Sequence, residues 1–206
     1  DNDLIRRVGK HIGEHTKRMG MHINFAPDVD INTNPKNPII GNRSFGENRD
    51  KVTEKAMAFM EGMQSAGVLA NAKHFPGHGD TEQDSHKTLP TITFSKERID
   101  SVELYPYKQL IPKGLASVMV AHLSVPSLES RPGFPSSISE GIVTGLLKDK
   151  LQFNGLIFTD ALEMKGVANY ADSGNVDLSA FLAGNDMLLI SADTPEGIKK
   201  LTEAYT

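Results

Sequence analysis

The sequence predicts a parallel α/β protein. Three observations carry that prediction: five apolar runs begin near residues 21, 68, 115, 156 and 187, a glycine introduces each, and a stretch with helical spacing separates each from the next. Runs that are apolar along their whole length belong to a sheet covered on both faces, which leaves a closed barrel or an open doubly wound sheet.

The elements follow in order. Asp1-Asn2-Asp3 has the look of a helix cap, and the helix after it places Leu4, Ile5, Val8, Ile12 and Met19 on one face, with Gly20 as its stop. Met21 to Ala26 reads as a strand ended by Pro27. The loop from Asp28 to Asp50, with Asn32, Asn34, Asn37, Asn42 and the cluster Arg43-Ser44-Phe45-Gly46, is too long for a simple connection. It is expected to serve function or to cover something. Val52, Ala56, Phe59, Met60 and Met63 form the next stripe, Gly67 stops it, and Val68 to Ala72 is the second strand. Ser95 can cap a helix carrying Ile99, Val102 and Leu110; Gly114 closes it, and Leu115 to Ala121 runs into His122. Ser139 caps Ile142, Val143, Leu146, Leu147 and Leu151, after which Gly155 and Leu156 to Thr159 lead into Asp160. A shorter helix around Leu178 to Ala183 stops at Gly184, Met187 to Ile190 is the last strand, and Thr194 begins another helix.

Composition narrows the function classes. A chain of 206 residues with 38% hydrophobic content can build a real core, and 22 basic against 26 acidic residues gives no sign of a nucleic-acid partner. No apolar run approaches the roughly 20 residues of a membrane span. The absence of cysteine excludes disulfides and thiolate chemistry and leaves the compartment open, cytoplasm and cell envelope alike.

The stretch Lys73 to His86, KHFPGHGDTEQDSH, concentrates the polar residues. Buried unpaired Lys, His or Asp side chains cost several kcal/mol each, so such a run rarely serves packing alone. Lys73, His74, His122, Asp160 and Ser191 each follow the last apolar residue of a predicted strand. In either α/β architecture this gathers them at the carboxyl edge of the sheet, where such folds keep their chemistry.

Asp160, on a rigid strand end, is the candidate nucleophile or cation stabiliser; the competing reading makes it the cap of the following helix. Asp84-Ser85-His86 can form a dyad in which the carboxylate steers the imidazole as general acid and base, against a plain solvated loop pair. Lys73 and His74 can donate hydrogen bonds to substrate hydroxyls or to Asp160, or form a structural ion pair at the sheet edge. Arg43 can hold Asp160 ionised or tie its own loop to Glu47 or Asp50, and His122 is more often a satisfied core-edge histidine than a contact. His74, His78, His86, His122 and Asp160 also permit a zinc hydrolase, but no His-x-His at a strand end and no HExxH motif supports it. A non-catalytic carbohydrate-binding module would lean on aromatic platforms, and the chain has no Trp and four Tyr.

These residues together resemble glycoside hydrolase family 3, more narrowly its β-N-acetylhexosaminidase branch. The motifs are KHFPGHGDTEQDSH, RSFGE at Arg43 to Glu47, AHL at 121–123, FTDALEM at 158–164 and AGNDMLL at 183–189. The resemblance implies a (β/α)8 barrel of the TIM type, of which the five parallel strands and their helices are an incomplete segment, with residues 1–206 a single internal part of the catalytic domain. It implies a retaining double displacement with Asp160 as nucleophile and His86, paired with Asp84, as acid/base. Arg43, Lys73 and His74, and more weakly His122, would bind an N-acetylglucosamine-containing saccharide from a glycan or muropeptide, as in peptidoglycan recycling. No cofactor and no metal are implied. Substrate-assisted catalysis is disfavoured because no Asp-Glu dipeptide occurs. The β-glucosidase branch is disfavoured by the GHGDTxxDSH loop, and a phosphorolytic variant stays open. Family members carry two further βα units before this segment and one more strand after it, which predicts weak or no activity for the segment alone.

Overall fold

The computed structural model describes residues 1–82, 88–171 and 173–205. Strands alternate with helices and the five expected strands are present, in two compact units. The first unit holds residues 1–80 and 97–119, the second 81–96 and 120–206. Among the described residues no helix is long and apolar enough to cross a membrane.

In the first unit, helix α1 (Asn2–Arg18) begins where the Asp1 carboxylate accepts the Asp3 and Leu4 amides at 2.9 and 3.3 Å. Strand β1 (Ile23–Asn24) pairs in parallel with β2 (Leu69–Phe75), Ile23 opposite Leu69 and Asn24 opposite Ala70. Strand β3 (Ser117–Val120) follows next to β2. Asn71 Nδ2 donates to Ser117 Oγ at 2.9 Å, and that hydroxyl donates to the Ala70 carbonyl at 2.9 Å, so a buried polar bridge ties β2 to β3. Helix α2 (Arg49–Ser65) is capped by Asn48 and buries the expected stripe of Val52, Ala56, Phe59, Met60 and Met63.

Two expectations are corrected here. The Leu4, Val8 and Met19 face of α1 is exposed; the buried positions are Gly9, Gly13 and Thr16. The reason is backbone approach: a Cβ on Gly9 would collide with the Phe59 carbonyl and one on Gly62 with that of Arg6, so α1 and α2 cross on glycines rather than on large side chains. The single helix read after Ser95 is two, α3 (Lys96–Ser101) and α4 (Tyr105–Leu110). Pro106 lacks an amide to continue α3, and a turn of 3-10 helix carries the chain to Gly114, whose φ is +85°.

In the second unit, residues Gly141–Lys150 wind more widely than an α-helix, as a π-helix, with Ile142, Val143, Leu146 and Leu147 buried as expected. Strand β4 (Leu156–Ala161) pairs in parallel with β5 (Met187–Leu189), and α5 (Lys165–Ala168), α6 (Ser173–Leu182) and α7 (Thr194–Tyr205) complete the unit. Phe134, Ile138, Leu162, Val167, Val176 and Ala180 form one of its apolar clusters. A buried carboxylate clips the loop before the π-helix. Glu129 accepts from Arg131 Nη2 at 2.7 Å and from Ser139 Oγ at 2.6 Å, and the guanidinium lies 3.4 Å from the Phe134 ring centroid. The Arg131 hydrogen bonds, with Ser139 adding to them, hold the Glu129 carboxyl down at about 2.

The helix crossing sets two opposed effects against each other in Gly62→Ala. Removing a helical glycine gains about 0.5–1 kcal/mol in backbone entropy. Forcing a methyl against backbone costs about 1–3 kcal/mol. Chemical denaturation is therefore expected to show net destabilisation, and a stabilised variant would disprove the close crossing. For Glu129→Gln the expected loss at neutral pH is about 1–2 kcal/mol, discounted because Arg131 is half exposed. A depressed carboxyl stabilises above its ordinary value, so the gap between variant and wild type should close as pH falls from 4.5 toward 2.

Candidate active site

The first cluster forms where β1 and β2 end. Strand β2 runs further than the sequence suggests, through Lys73 and His74 to Phe75, because the chain after Pro27 continues beside it. Lys73 N donates to the Pro27 carbonyl at 3.3 Å, and Val29 N to the Lys73 carbonyl at 2.8 Å. Asp28 and Asp30, two residues apart on this extended path, turn to the same side. Both are buried, and neither stands out by motif; the signal that would have found them is Pro-Asp-Val-Asp directly after a strand, the same strand-end position that singled out Lys73 and Asp160.

Asp30 is the hub. Its Oδ2 takes the His74 ring Nδ1 at 2.7 Å and the His74 amide at 3.2 Å, and its Oδ1 takes the His78 amide at 2.6 Å. On the other side of the ring, Arg43 Nη2 lies 3.2 Å from His74 Nε2. A guanidinium only donates, so Nε2 accepts and the ring proton sits on Nδ1, facing Asp30. His74 is thus a neutral imidazole that passes the orientation of a buried carboxylate on to Arg43. Arg43 also bonds the Ile39 carbonyl at 3.3 Å and stands 3.6 Å from Asp28 Oδ2, with its side chain still 41% exposed.

Burial pushes both carboxyls up. Asp28 rises to about 7, first from burial and then from the charge of Asp30; Asp30 is raised by burial against the opposing charge of His78 and its N–H donors. The two carboxylates also push the fully buried Tyr107 phenol up, after burial itself.

The long loop covers this stretch, as its length implied. Asn37 Nδ2 donates to the His78 carbonyl at 2.8 Å, Thr33 Oγ1 to Asp80 Oδ1 at 2.7 Å, and Ser44 Oγ to the Asp30 carbonyl at 2.6 Å. Gly79 is required by closeness, since any Cβ there would strike the Ile31 backbone. The continuation of this loop carries Asp84 and His86, which lie outside the described residues.

The second cluster belongs to the other unit. Asp160 is the fifth residue of β4, half-buried, and does not cap a helix: α5 starts at Lys165 behind Met164. Phe158 faces Met187 and Ala161 faces Leu189, so Thr159 and Asp160 together oppose Leu188 alone. This is a β-bulge, a device that re-aims a side chain at a strand end. The ladder is repaired by side chains. Leu189 N donates to Thr159 Oγ1 at 3.0 Å, and Ala161 N to Asp160 Oδ1 at 2.9 Å. His122, fully buried, engages Ser137 Oγ through Nδ1 at 2.7 Å and donates from Nε2 to the Ala161 carbonyl at 2.9 Å. The second of these bonds holds the residue after Asp160. Ser191 lies past the end of β5, with Oγ on Asp177 Oδ2 at 3.0 Å.

Among the described residues, Asp28, Asp30 and His74 place ligand atoms within 4.8 Å of one another, a set a divalent cation could use. The guanidinium of Arg43 already supplies the positive charge there, and both His74 nitrogens are engaged. We therefore read the cluster as an arginine-orienting one.

Residues 1–206 match the glycosyl hydrolase family 3 N terminal domain. A beta-hexosaminidase A from Pseudoalteromonas piscicida is 37% identical over 196 residues, 89% of this chain and 32% of that protein. A beta-hexosaminidase from Actinobacillus pleuropneumoniae is 38% identical over 196 residues, covering 95% of this chain and 55% of the relative. The solved structure of a glycoside hydrolase family 3 beta-N-acetylglucosaminidase from Paenibacillus sp. str. FPU-7 superimposes with a TM-score of 0.92 at 38% identity, over 98% of this chain and 38% of that one. The chain thus spans about a third to about half of the length of these relatives, and its five parallel strands with alternating helices are a segment of a TIM-type barrel fold. The chain belongs to glycosyl hydrolase family 3.

Proposed function

We propose that this chain is an internal part of the catalytic barrel of a retaining β-N-acetylhexosaminidase that removes terminal β-N-acetylglucosamine from a glycan or muropeptide. The observation that carries the reading is Asp160, a carboxylate placed in a bulge at the end of β4 within the FTDALEM motif, with Met164 and not Asp160 at the N-cap position of α5. The two β-hexosaminidase relatives support the substrate class.

In the first half-reaction the Asp160 carboxylate attacks the anomeric carbon and the glycosidic C–O bond breaks. His86, as imidazolium stabilised by Asp84, gives its proton to the departing oxygen. In the second half, water attacks the same carbon, neutral His86 takes the water proton, and the Asp160 carboxylate is released. A histidine here replaces one of the two usual carboxyl groups, which suits proton transfer near neutral pH. Arg43 and Lys73 bind the sugar hydroxyls and acetamido end, with His74 holding Arg43 from behind. His122 contributes through the Ala161 carbonyl rather than by reaching the sugar.

Trapping the intact enzyme with a 5-fluoro N-acetylglucosaminyl fluoride and mapping the labelled peptide should place the sugar on Asp160; a label elsewhere rejects the assignment. Asp160→Asn should lower kcat by about a thousandfold or more. His86→Ala should lower it by about a hundredfold to ten-thousandfold and abolish one limb of the pH–rate profile. An unchanged rate in His86→Ala would reject the dyad. Activity should survive chelation, and its loss would revive the zinc reading.

A further inference from the structure

Asp28 is a buried carboxyl that no motif claims and the mechanism above does not use. Its Oδ1 accepts the Asp30 amide at 3.1 Å, but its Oδ2 is buried without a hydrogen-bond partner among the described residues. That oxygen faces the Arg43 guanidinium at 3.6 Å from Nε, with His74 Nδ1 4.0 Å away. An orphan carboxyl oxygen in such a place costs about 1–3 kcal/mol, which packing alone does not explain. We propose that Asp28 is a positioning residue for Arg43, a buried counter-ion that sets how far the guanidinium is drawn inward and therefore how well it holds the saccharide. This rests on the reading of Arg43 as a sugar-binding residue.

The charge balance gives the effect a direction. Asp30, with three N–H donors, is the ionised member of the pair, and Asp28, with one, is the member that stays protonated longest. Among the described residues the other titratable groups around Asp28 are His74 and Lys73 on β2, His78 on the following turn, Arg43 on its loop and Tyr107 on α4, whose phenol feels both carboxyls. Of these, His74 is fixed as neutral by its two partners and Arg43 is always charged. As a neutral acid, Asp28 leaves Arg43 at its 3.6 Å stand-off and available to the sugar. Once ionised, near the value of about 7 that burial imposes, it pulls the guanidinium inward. The loss appears in KM. Because Arg43 is 41% exposed, the pair is worth at most about 1 kcal/mol, or about fivefold.

The test is steady-state hydrolysis of p-nitrophenyl N-acetylglucosaminide by the intact enzyme on both sides of pH 7. Wild-type KM should rise by about fivefold as pH increases through that point. In Asp28→Asn, KM should be flat while the pH dependence of kcat is unchanged. Arg43→Gln, with Asp28 intact, should also remove the rise in KM, because the effect passes through the guanidinium; this second variant serves if Asp28→Asn does not fold. A KM rise that persists in either variant overturns the proposal, as does an Asp28→Asn variant that lowers kcat and leaves the KM profile as in wild type. Hydrolysis with a flat wild-type KM overturns this inference alone. No hydrolysis of the acetamido substrate at any pH overturns it together with the substrate reading on which it rests.

Discussion

One buried carboxylate organises the ends of β1 and β2. Taking the Asp30 charge out of water costs several kcal/mol unless donors surround it, and they do: two backbone amides and one imidazole N–H. Each donor fixes something different. The ring bond sets the tautomer of His74 and through it the guanidinium of Arg43, while the His78 amide anchors the turn that leads toward Asp84 and His86. The long loop then needs only polar contacts to close over the turn, from Asn37, Thr33 and Ser44. Replacing Asp30 by an apolar residue would release all three donors at once, so its effect on the site should exceed that of any single partner.

The second unit solves a different problem. A carboxylate proposed as nucleophile must point out of the ladder yet stay rigid, and an extra residue in β4 suits both demands. The irregularity leaves ladder groups without strand partners, and Thr159, Asp160 and His122 supply the missing bonds from their side chains. His122 is the clearest case of a polar residue in a motif whose burial and bonding point to support. A histidine between a serine hydroxyl and a backbone carbonyl holds the strand end in place.

Much of this was legible from residue order. Glycines before apolar runs located all five strands, and the α2 stripe and the buried face of 141–150 followed from period alone. The α1 face was misread because small residues carry no hydropathy signal: the crossing uses the absence of side chains at Gly9 and Gly62, which periodicity scores as nothing. Pro106 divides the stretch after Ser95 into two helices because it has no amide to donate. Strand-end position and motif single out Lys73, His74, Arg43 and Asp160 as candidates. Asp28 and Asp30 were hidden because they precede a long loop and were counted as its beginning. The bulge at Asp160 is invisible to sequence, since register against β5 depends on pairing rather than on residue type.

The central claim is that a carboxylate bonds to the anomeric carbon before water does, so two inversions leave the configuration unchanged. Proton NMR of the intact enzyme acting on a β-N-acetylglucosaminide, read before mutarotation, tests this most directly. The account predicts that the β-anomer of N-acetylglucosamine forms first and the α-anomer grows in later. First appearance of the α-anomer would mean a single displacement by water and would contradict it.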